Sequence, residues 1–309
     1  MEQEYTGTVI ESTGSHYVIR TADGGTVEMR LRGRMRLQNG RTTNPVAVGD
    51  VVRYELTADG GAAVTAVELR RNYLIRRASN LSKEAHVIAA NLDRAFIVAT
   101  LFSPVTNTEF IDRFLVTCEA YGIPAGILLN KLDLAATHPE ELEEFIAIYE
   151  TAGYAVYPLS ATEQTGLEVV RQLTATGTTL LTGNSGAGKS TLIKALVPDA
   201  DVRIGRISDA HHKGMHTTTF ARMYRLPSGG DLIDTPGIKG FGLVDIAAGE
   251  VFRYFPEFMR HAPQCQYYNC THTHEPGCAV IRAVEAGEIA PQRYVSYLKL
   301  LDEDGKYRS

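Results

Sequence analysis

The chain has no tryptophan and only four cysteines in 309 residues, and it has no apolar run long enough to cross a bilayer. The longest such run, Ala95 to Phe102, falls far short of the roughly 20 residues a spanning helix needs. The amino terminus, Met1-Glu2-Gln3-Glu4, lacks a basic region followed by an apolar stretch, so no secretory leader or membrane partner is expected and the protein reads as cytoplasmic. Cysteine is also unevenly placed: Cys118 stands alone, whereas Cys265, Cys270 and Cys278 crowd into fourteen residues. In a reducing compartment such a cluster suggests metal before disulfide. A strong excess of one charge is missing as well. The net charge is −5, made of +2 over residues 1 to 90 (twelve Lys/Arg against ten Asp/Glu) and −7 over the rest. Only the first segment leans towards a polyanion, and weakly.

What is present divides into three segments, with boundaries expected near residues 75 and 245. Residues 1–75 carry short β-rich runs, Glu4 to Ile10, Ser15 to Arg20, Thr26 to Leu31, Val51 to Leu56 and Ala63 to Leu69, punctuated by Gly-containing turns. Five strands in that length suit a small barrel of the OB type. Arg30, Arg32, Arg34 and Arg36 alternate with Leu31, Gly33, Met35 and Leu37, so a strand puts all four guanidiniums on one face. Such a stripe is either an RNA-backbone contact or a solvated basic face.

Residues 76–245 alternate short apolar strands (Arg94 to Leu101, Ala125 to Leu129, Ala155 to Leu159, Thr178 to Leu181, Asp231 to Ile233) with helical segments such as Glu109 to Tyr121, Pro139 to Thr151 and Gly188 to Leu196. That pattern implies an α/β domain with a parallel sheet covered on both faces. Residues 246–309 are helical in flavour around the Cys/His cluster. This third segment is too small for a large core, and a metal would supply the stability the core cannot.

The segment Gly183-Asn184-Ser185-Gly186-Ala187-Gly188-Lys189-Ser190, followed by Thr191, comes after an apolar strand and opens a helix, the context a phosphate-binding loop requires. Its glycines permit backbone N–H groups to aim at the β-phosphate, Lys189 adds a point charge, and Ser190 can ligate Mg²⁺. Asn130-Lys131-Leu132-Asp133 follows the strand ending at Leu129, and a carboxylate at Asp133 can accept both Watson–Crick-edge N–H groups of guanine. Adenine offers no such pair, so a buried Asp133 discriminates. Alone this motif is no better than a surface turn; beside the phosphate loop it becomes a base reader. Ser160-Ala161 is placed to offer the Ala161 N–H to guanine O6. Asp234-Thr235-Pro236-Gly237 fits a γ-phosphate sensor, with Asp234 holding Mg²⁺ through water and the Gly237 N–H on the phosphate. Thr217-Thr218-Thr219 ends a polar, His-rich stretch, and Thr218 is slightly favoured over its neighbours to close on Mg²⁺.

The base reader precedes the phosphate loop by about fifty residues, the reverse of an ordinary GTPase, which makes a circularly permuted GTPase the leading reading. This order, with an amino-terminal barrel and a carboxyl-terminal Cys/His cluster, resembles the bacterial small-ribosomal-subunit-dependent GTPase A family over nearly the whole chain. The supporting residues are Asn130 to Asp133, Gly183 to Thr191, His216 to Thr219, Asp234 to Gly237 and the spacing around Cys265. The resemblance implies a GTPase that binds the 30S subunit late in assembly, contacts 16S rRNA, is stimulated by the subunit and alternates between GTP and GDP. Cys265-x4-Cys270-x-His272-x5-Cys278 supplies enough ligands for a closed, structural Zn²⁺ site, and the family spacing selects His272 over His274. Tyr267 and Tyr268 either stack on RNA or pack around the metal.

Hydrolysis needs a water oriented and the γ-phosphate charge neutralised. Ile238 stands where many GTPases place a water-orienting Gln, so slow intrinsic turnover is expected. His216 is the best internal replacement, with His211 and His212 as rivals. Gly186 stands where cation-dependent relatives often carry Asn. The chain is expected to act as a monomer. The competing function is a GTP-gated rRNA-binding adaptor in which hydrolysis is incidental. In the permuted order the chain leaves the nucleotide domain just after Gly237, so a change at the phosphate would pull on the carboxyl-terminal domain while the barrel enters from the base-reading half.

Overall fold

A computed structural model describes residues 4–13, 16–31, 44–58, 60–77, 85–135, 137–200, 221–235, 241, 243 and 246–306. Strict alternation builds the first module: in β4 (Val51–Leu56) Val52 and Tyr54 are buried while Arg53 between them is exposed. The other strands are β1 (Glu4–Ser12), β2 (Tyr17–Thr21), β3 (Thr26–Leu31) and β5 (Ala62–Val67). β1 pairs with both β2 and β4, β2 with β3, β3 with β5 and β5 with β4, so the ring closes into the five-stranded barrel expected. Val9, Tyr17, Ile19, Met29, Val52, Tyr54 and Val64 fill it.

A hairpin of β6 (Tyr73–Arg77) and β7 (Ala85–Ala90) follows, a two-stranded sheet that the sequence reading did not anticipate. It locks to the barrel at Gly49, where an added Cβ would lie 2.1 Å from the Ala90 carbonyl oxygen. Fully buried Asp50 adds a second lock, accepting Arg70 Nε at 2.7 Å and Nη2 at 2.8 Å.

The central sheet contains β8 (Arg94–Ala99), β9 (Ala125–Leu129), β10 (Val156–Pro158), β11 (Thr178–Gly183), β12 (Arg222–Arg225) and β13 (Asp231–Asp234), in the order β10-β9-β8-β11-β13-β12. β8 shows why both faces are covered. Ala95, Ile97 and Ala99 join the core under α1 (Thr108–Ala120) and α3 (Pro139–Ala152), whereas Phe96 and Val98 join the core under α4 (Leu167–Leu173) and α5 (Lys189–Leu196). The sheet is not wholly parallel as expected: β12 runs antiparallel to β13. The turn joining them, closed by Leu226 N–H on the Gly230 carbonyl at 2.8 Å, is far too short for a crossover, which takes about a dozen residues.

The barrel docks on the far side of this sheet from the side where its chain enters. Glu11 of β1 pairs with Arg222 of β12, and Arg20 of β2 grips Asp231 at the start of β13 through two 2.7 Å hydrogen bonds. The barrel's chain enters from the half that carries Asn130 to Asp133, as expected, and its strands pack on the β12–β13 edge.

The carboxyl-terminal segment comprises a 3₁₀ turn over Ala248–Tyr254, α6 (Pro256–His261), α7 (Ala279–Glu285) and α8 (Pro291–Lys306). Its core is larger than expected because it borrows from the nucleotide domain: Phe255, Phe258, Val280 and Tyr297 pack with Val116 of α1. Arg293, fully buried, donates to Asp112 of α1 at 2.8 Å and to Glu257 of α6 at 2.7 and 3.3 Å. Downstream of β13, Phe241 packs on Phe110 and Phe114 of α1, and Leu243 enters the carboxyl-terminal core.

Candidate nucleotide and metal sites

The parallel strands β8, β9, β10, β11 and β13 end on one rim of the sheet, the place where open α/β sheets bind ligands. Each described part of the expected nucleotide site lies there. β11 runs into the phosphate loop at Gly183, whose Cβ position would fall 2.6 Å from the Val98 carbonyl oxygen. Gly188 has φ +90° and opens α5; a side chain there would meet Asn130 Nδ2 at 2.2 Å. Those two contacts are why the loop takes glycine at both ends. Asn184 is half-buried, Ser185 and Gly186 are exposed and Ala187 is buried, while Ser190 and Thr191 occupy the first turn of α5.

Lys189 is ion-paired with Asp234 at the end of β13. Burial raises the Asp234 carboxyl above the usual carboxylate range, and the lysine ammonium opposes that rise. Thr235, beside it, donates its hydroxyl to the Leu181 carbonyl at 3.0 Å, which holds β13's end against β11. The lysine expected to meet the phosphates and the carboxylate expected to hold Mg²⁺ are thus in direct contact.

Asn130 is the strap of the site. Its amide donates to Ala99 O at 2.8 Å, its Nδ2 to Ala187 O in the phosphate loop at 2.8 Å, and its Oδ1 accepts Ala161 N–H at 3.0 Å. One buried side chain therefore joins the ends of β9, β10 and β11. The Ala161 amide, expected to meet guanine O6, donates here to Asn130 Oδ1. Asp133 heads the short helix α2 (Leu132–Ala135) and accepts Ser160 Oγ at 2.6 Å, so Ser160 orients the carboxylate. Lys131 adopts φ +65° and reaches the Ser103 carbonyl oxygen with its ammonium, whose pKa burial lowers against the pull of Asp133.

Several expected site residues lie outside the described residues: His216, its rivals His211 and His212, Thr217 to Thr219, and Pro236, Gly237 and Ile238. Arg32, Arg34 and Arg36 also lie outside them, and Arg30 is exposed on β3.

The second site is the Cys/His cluster. One ligand atom each from Cys265, Cys270, His272 and Cys278 lies within 4.8 Å of the others. His272 Nδ1 is 3.6 Å from Cys265 Sγ and 3.5 Å from Cys278 Sγ. Tetrahedral coordination with ordinary Zn–S and Zn–N bonds puts such atoms roughly 3.6 Å apart, so the donor set fits a single ion. His274 is exposed and turned to Thr273 Oγ1 at 2.8 Å, which agrees with the choice of His272. Glu275 braces the loop, accepting Thr271 N–H at 2.7 Å, Thr271 Oγ1 at 2.5 Å and Thr273 N–H at 3.2 Å. Burial pushes the Cys270 thiol up to about 12, so a cation binding there displaces its proton. Tyr268 is fully exposed and Tyr267 partly so.

The bracing of Asp133 by Ser160 and the Arg293 triad were missed from sequence. A serine after a strand and an arginine in an amphipathic helix carry no signal of the carboxylates they meet.

Two family models match the chain, RsgA N-terminal domain over residues 6–64 and RsgA GTPase over residues 67–244. A protein of Phocaeicola vulgatus named small ribosomal subunit biogenesis GTPase RsgA is 48% identical over 306 residues, covering 98% of this chain and 99% of the relative. Among solved structures, YjeQ from Thermotoga maritima matches with a TM-score of 0.76 at 31% identity, over 97% of this chain and 98% of that one. YloQ, described as a circularly permuted GTPase, matches with a TM-score of 0.72 at 26% identity, over 99% and 97%. With its base-reading and phosphate-binding loops in exchanged order yet joined by Asn130 at one sheet rim, the chain belongs to the RsgA GTPase family and is a GTP-hydrolysing enzyme.

Proposed function

We propose that this GTPase binds the small ribosomal subunit and uses GTP hydrolysis as a checkpoint late in that subunit's assembly, gripping in the GTP form and leaving in the GDP form. The observation that carries the reading is the likeness, along essentially the whole chain, to relatives named for small-subunit biogenesis. The adaptor alternative, with hydrolysis incidental, draws no support from membership of a GTPase family.

In this reading residues 1–75 form an RNA-binding barrel, 76–245 the nucleotide domain and 246–309 the metal-binding helical domain. Gly183 to Thr191 and the Gly237 N–H hold the phosphates; Asn130, Lys131, Asp133, Ser160 and Ala161 hold the base. Ser190, Thr218 and Asp234 hold Mg²⁺, which neutralises charge on the β- and γ-phosphates. Lys189 must then leave Asp234 for the phosphates, so loading exchanges one ion pair for another. His216 orients the attacking water. Three soft thiolates and an imidazole select Zn²⁺ over hard cations at the second site, where it is structural. Arg30, Arg32, Arg34 and Arg36 line the rRNA contact, and the protein acts as a cytoplasmic monomer.

The deciding experiment measures GTP turnover alone, with purified small subunits and with large subunits. Stimulation by small subunits is expected; stimulation by neither would remove the ribosomal assignment and leave the GTPase standing.

A further inference from the structure

We propose that Thr106 is a positioning residue for guanine-nucleotide binding, acting through the turn over residues 101–105 on Lys131 and on the phosphate loop. The inference rests on reading Asn130 to Asp133 as the base-reading segment. Thr100 and Thr106 flank the turn and are both buried. Thr106 Oγ1 accepts the Thr100 amide at 2.9 Å, the Thr106 amide donates back to Thr100 O at 2.8 Å, and the Thr100 hydroxyl donates to Pro104 O at 2.5 Å. Two buried threonines thus close the turn from within.

What the closed turn presents outward touches the nucleotide site at two points. The Ser103 carbonyl oxygen accepts the Lys131 ammonium. The Pro104 ring lies against the phosphate loop, 3.2 Å from where a Cβ on Gly186 would stand. Lysine is a long side chain with much rotamer freedom, and anchoring its head on a fixed carbonyl lays the aliphatic stem along one path before any base arrives. The same strand end serves both loops, since Ala99 O accepts the Asn130 amide immediately before Thr100. Nothing in the turn supplies a charge or a proton to the phosphates. Its contribution therefore goes to holding the nucleotide and not to the rate of hydrolysis once it is held.

The test uses the full-length protein, a fluorescent GDP analogue and steady-state GTP turnover, with Thr106→Val, Thr106→Ser, Pro104→Ala and Lys131→Ala. Thr106→Val keeps shape and removes the acceptor for the Thr100 amide. It is expected to raise the GDP Kd and the GTP KM about five- to tenfold, the scale of one lost buried hydrogen-bond acceptor, with kcat within about twofold. Thr106→Ser restores the acceptor and restores affinity. Exposed Pro104 tolerates alanine, and that variant should move Kd in the same direction by less. Four outcomes overturn the inference. Unchanged GDP affinity in Thr106→Val beside a weakened Lys131→Ala removes the turn but keeps the base site. Equal losses in Thr106→Val and Thr106→Ser, or a fall in kcat with KM unchanged, show general damage. Unchanged affinity in Lys131→Ala removes the base-site reading and the inference with it.

Discussion

Replacing Arg293 by methionine tests the account of how the carboxyl-terminal helices are held to the nucleotide domain. The guanidinium and both carboxylates are at most 1% exposed, and one cation serves Asp112 and Glu257 together. Breaking a buried ion pair by removing one partner costs about 3–5 kcal/mol, because the other charge is left unpaired. Here two carboxylates are stranded, so the upper end, about 5 kcal/mol, is expected. Arg293 also stacks over Phe255 at 4.7 Å and Tyr154 at 5.5 Å, contacts that methionine replaces only in part. For a unit of this size each kcal/mol lowers the melting point by about 2–4 °C, so the transition involving α1, α6 and α8 should fall by about 10–20 °C. The chain lacks tryptophan, so far-UV circular dichroism is the natural probe, with hydrogen exchange in α8 identifying the transition. The triple variant Asp112→Asn, Glu257→Gln, Arg293→Met removes the stranded charges and should recover most of the loss. A single variant within about 1 kcal/mol of the parent, or a triple variant no more stable than the single one at pH 7, would refute the reasoning.

Asn130→Ala removes two side-chain hydrogen bonds that join the loops, and at about 1–1.5 kcal/mol each the GDP Kd should rise about thirty- to 150-fold in a fluorescent-nucleotide titration. Cys270→Ser should abolish stoichiometric zinc in metal analysis and lower the melting point of the carboxyl-terminal helices, with the nucleotide affinity of the parent retained. Glu275 is held well below the usual carboxylate range: burial acts to raise it, but the hydrogen bonds from Thr271 and His274 prevail. Its bracing is thus complete above the ordinary glutamate pKa and lost only as pH falls through the depressed value. Glu275→Gln should therefore speed zinc release to a chelator at pH 7 and narrow the difference from the parent in strong acid. Arg20→Ala should increase hydrogen exchange in β12 and β1 together; protection unchanged in β12 would show that the barrel does not brace that strand.

Much of this molecule is legible in its sequence where local rules are strong. The barrel strands alternate, as in Val51–Leu56, and the loop at Gly183 to Ser190 carries its own spacing, so both were readable residue by residue. The Cys/His set was readable because few arrangements of three thiols and one imidazole in fourteen residues do anything else. The hairpin β6–β7 was lost because Arg76 and Arg77 interrupt its apolar pattern. The antiparallel β12 was lost because four residues, Arg222–Arg225, with charge at both ends give no period to read. The strap made by Asn130 was visible as a motif, but its partners Ala187 and Ala161 are 57 and 31 residues away, and their backbone groups have no sequence signature. The same holds for Arg293 and Asp112, separated by 181 residues. Contacts of that kind follow from the topology and not from the neighbours of either residue.

The pairing of β1 with β12 has one more consequence, for solubility. Sheets that end in bare strands offer their unpaired N–H and C=O groups to any other chain. In this sheet β12 meets the closed barrel at Arg222, which pairs with Glu11 of β1, so that edge is covered there. The other end is β10, three residues long and finished by Pro158, which has no N–H to donate. The short strands of the nucleotide domain thus lie at its margins, one meeting the barrel and the other ending in a proline.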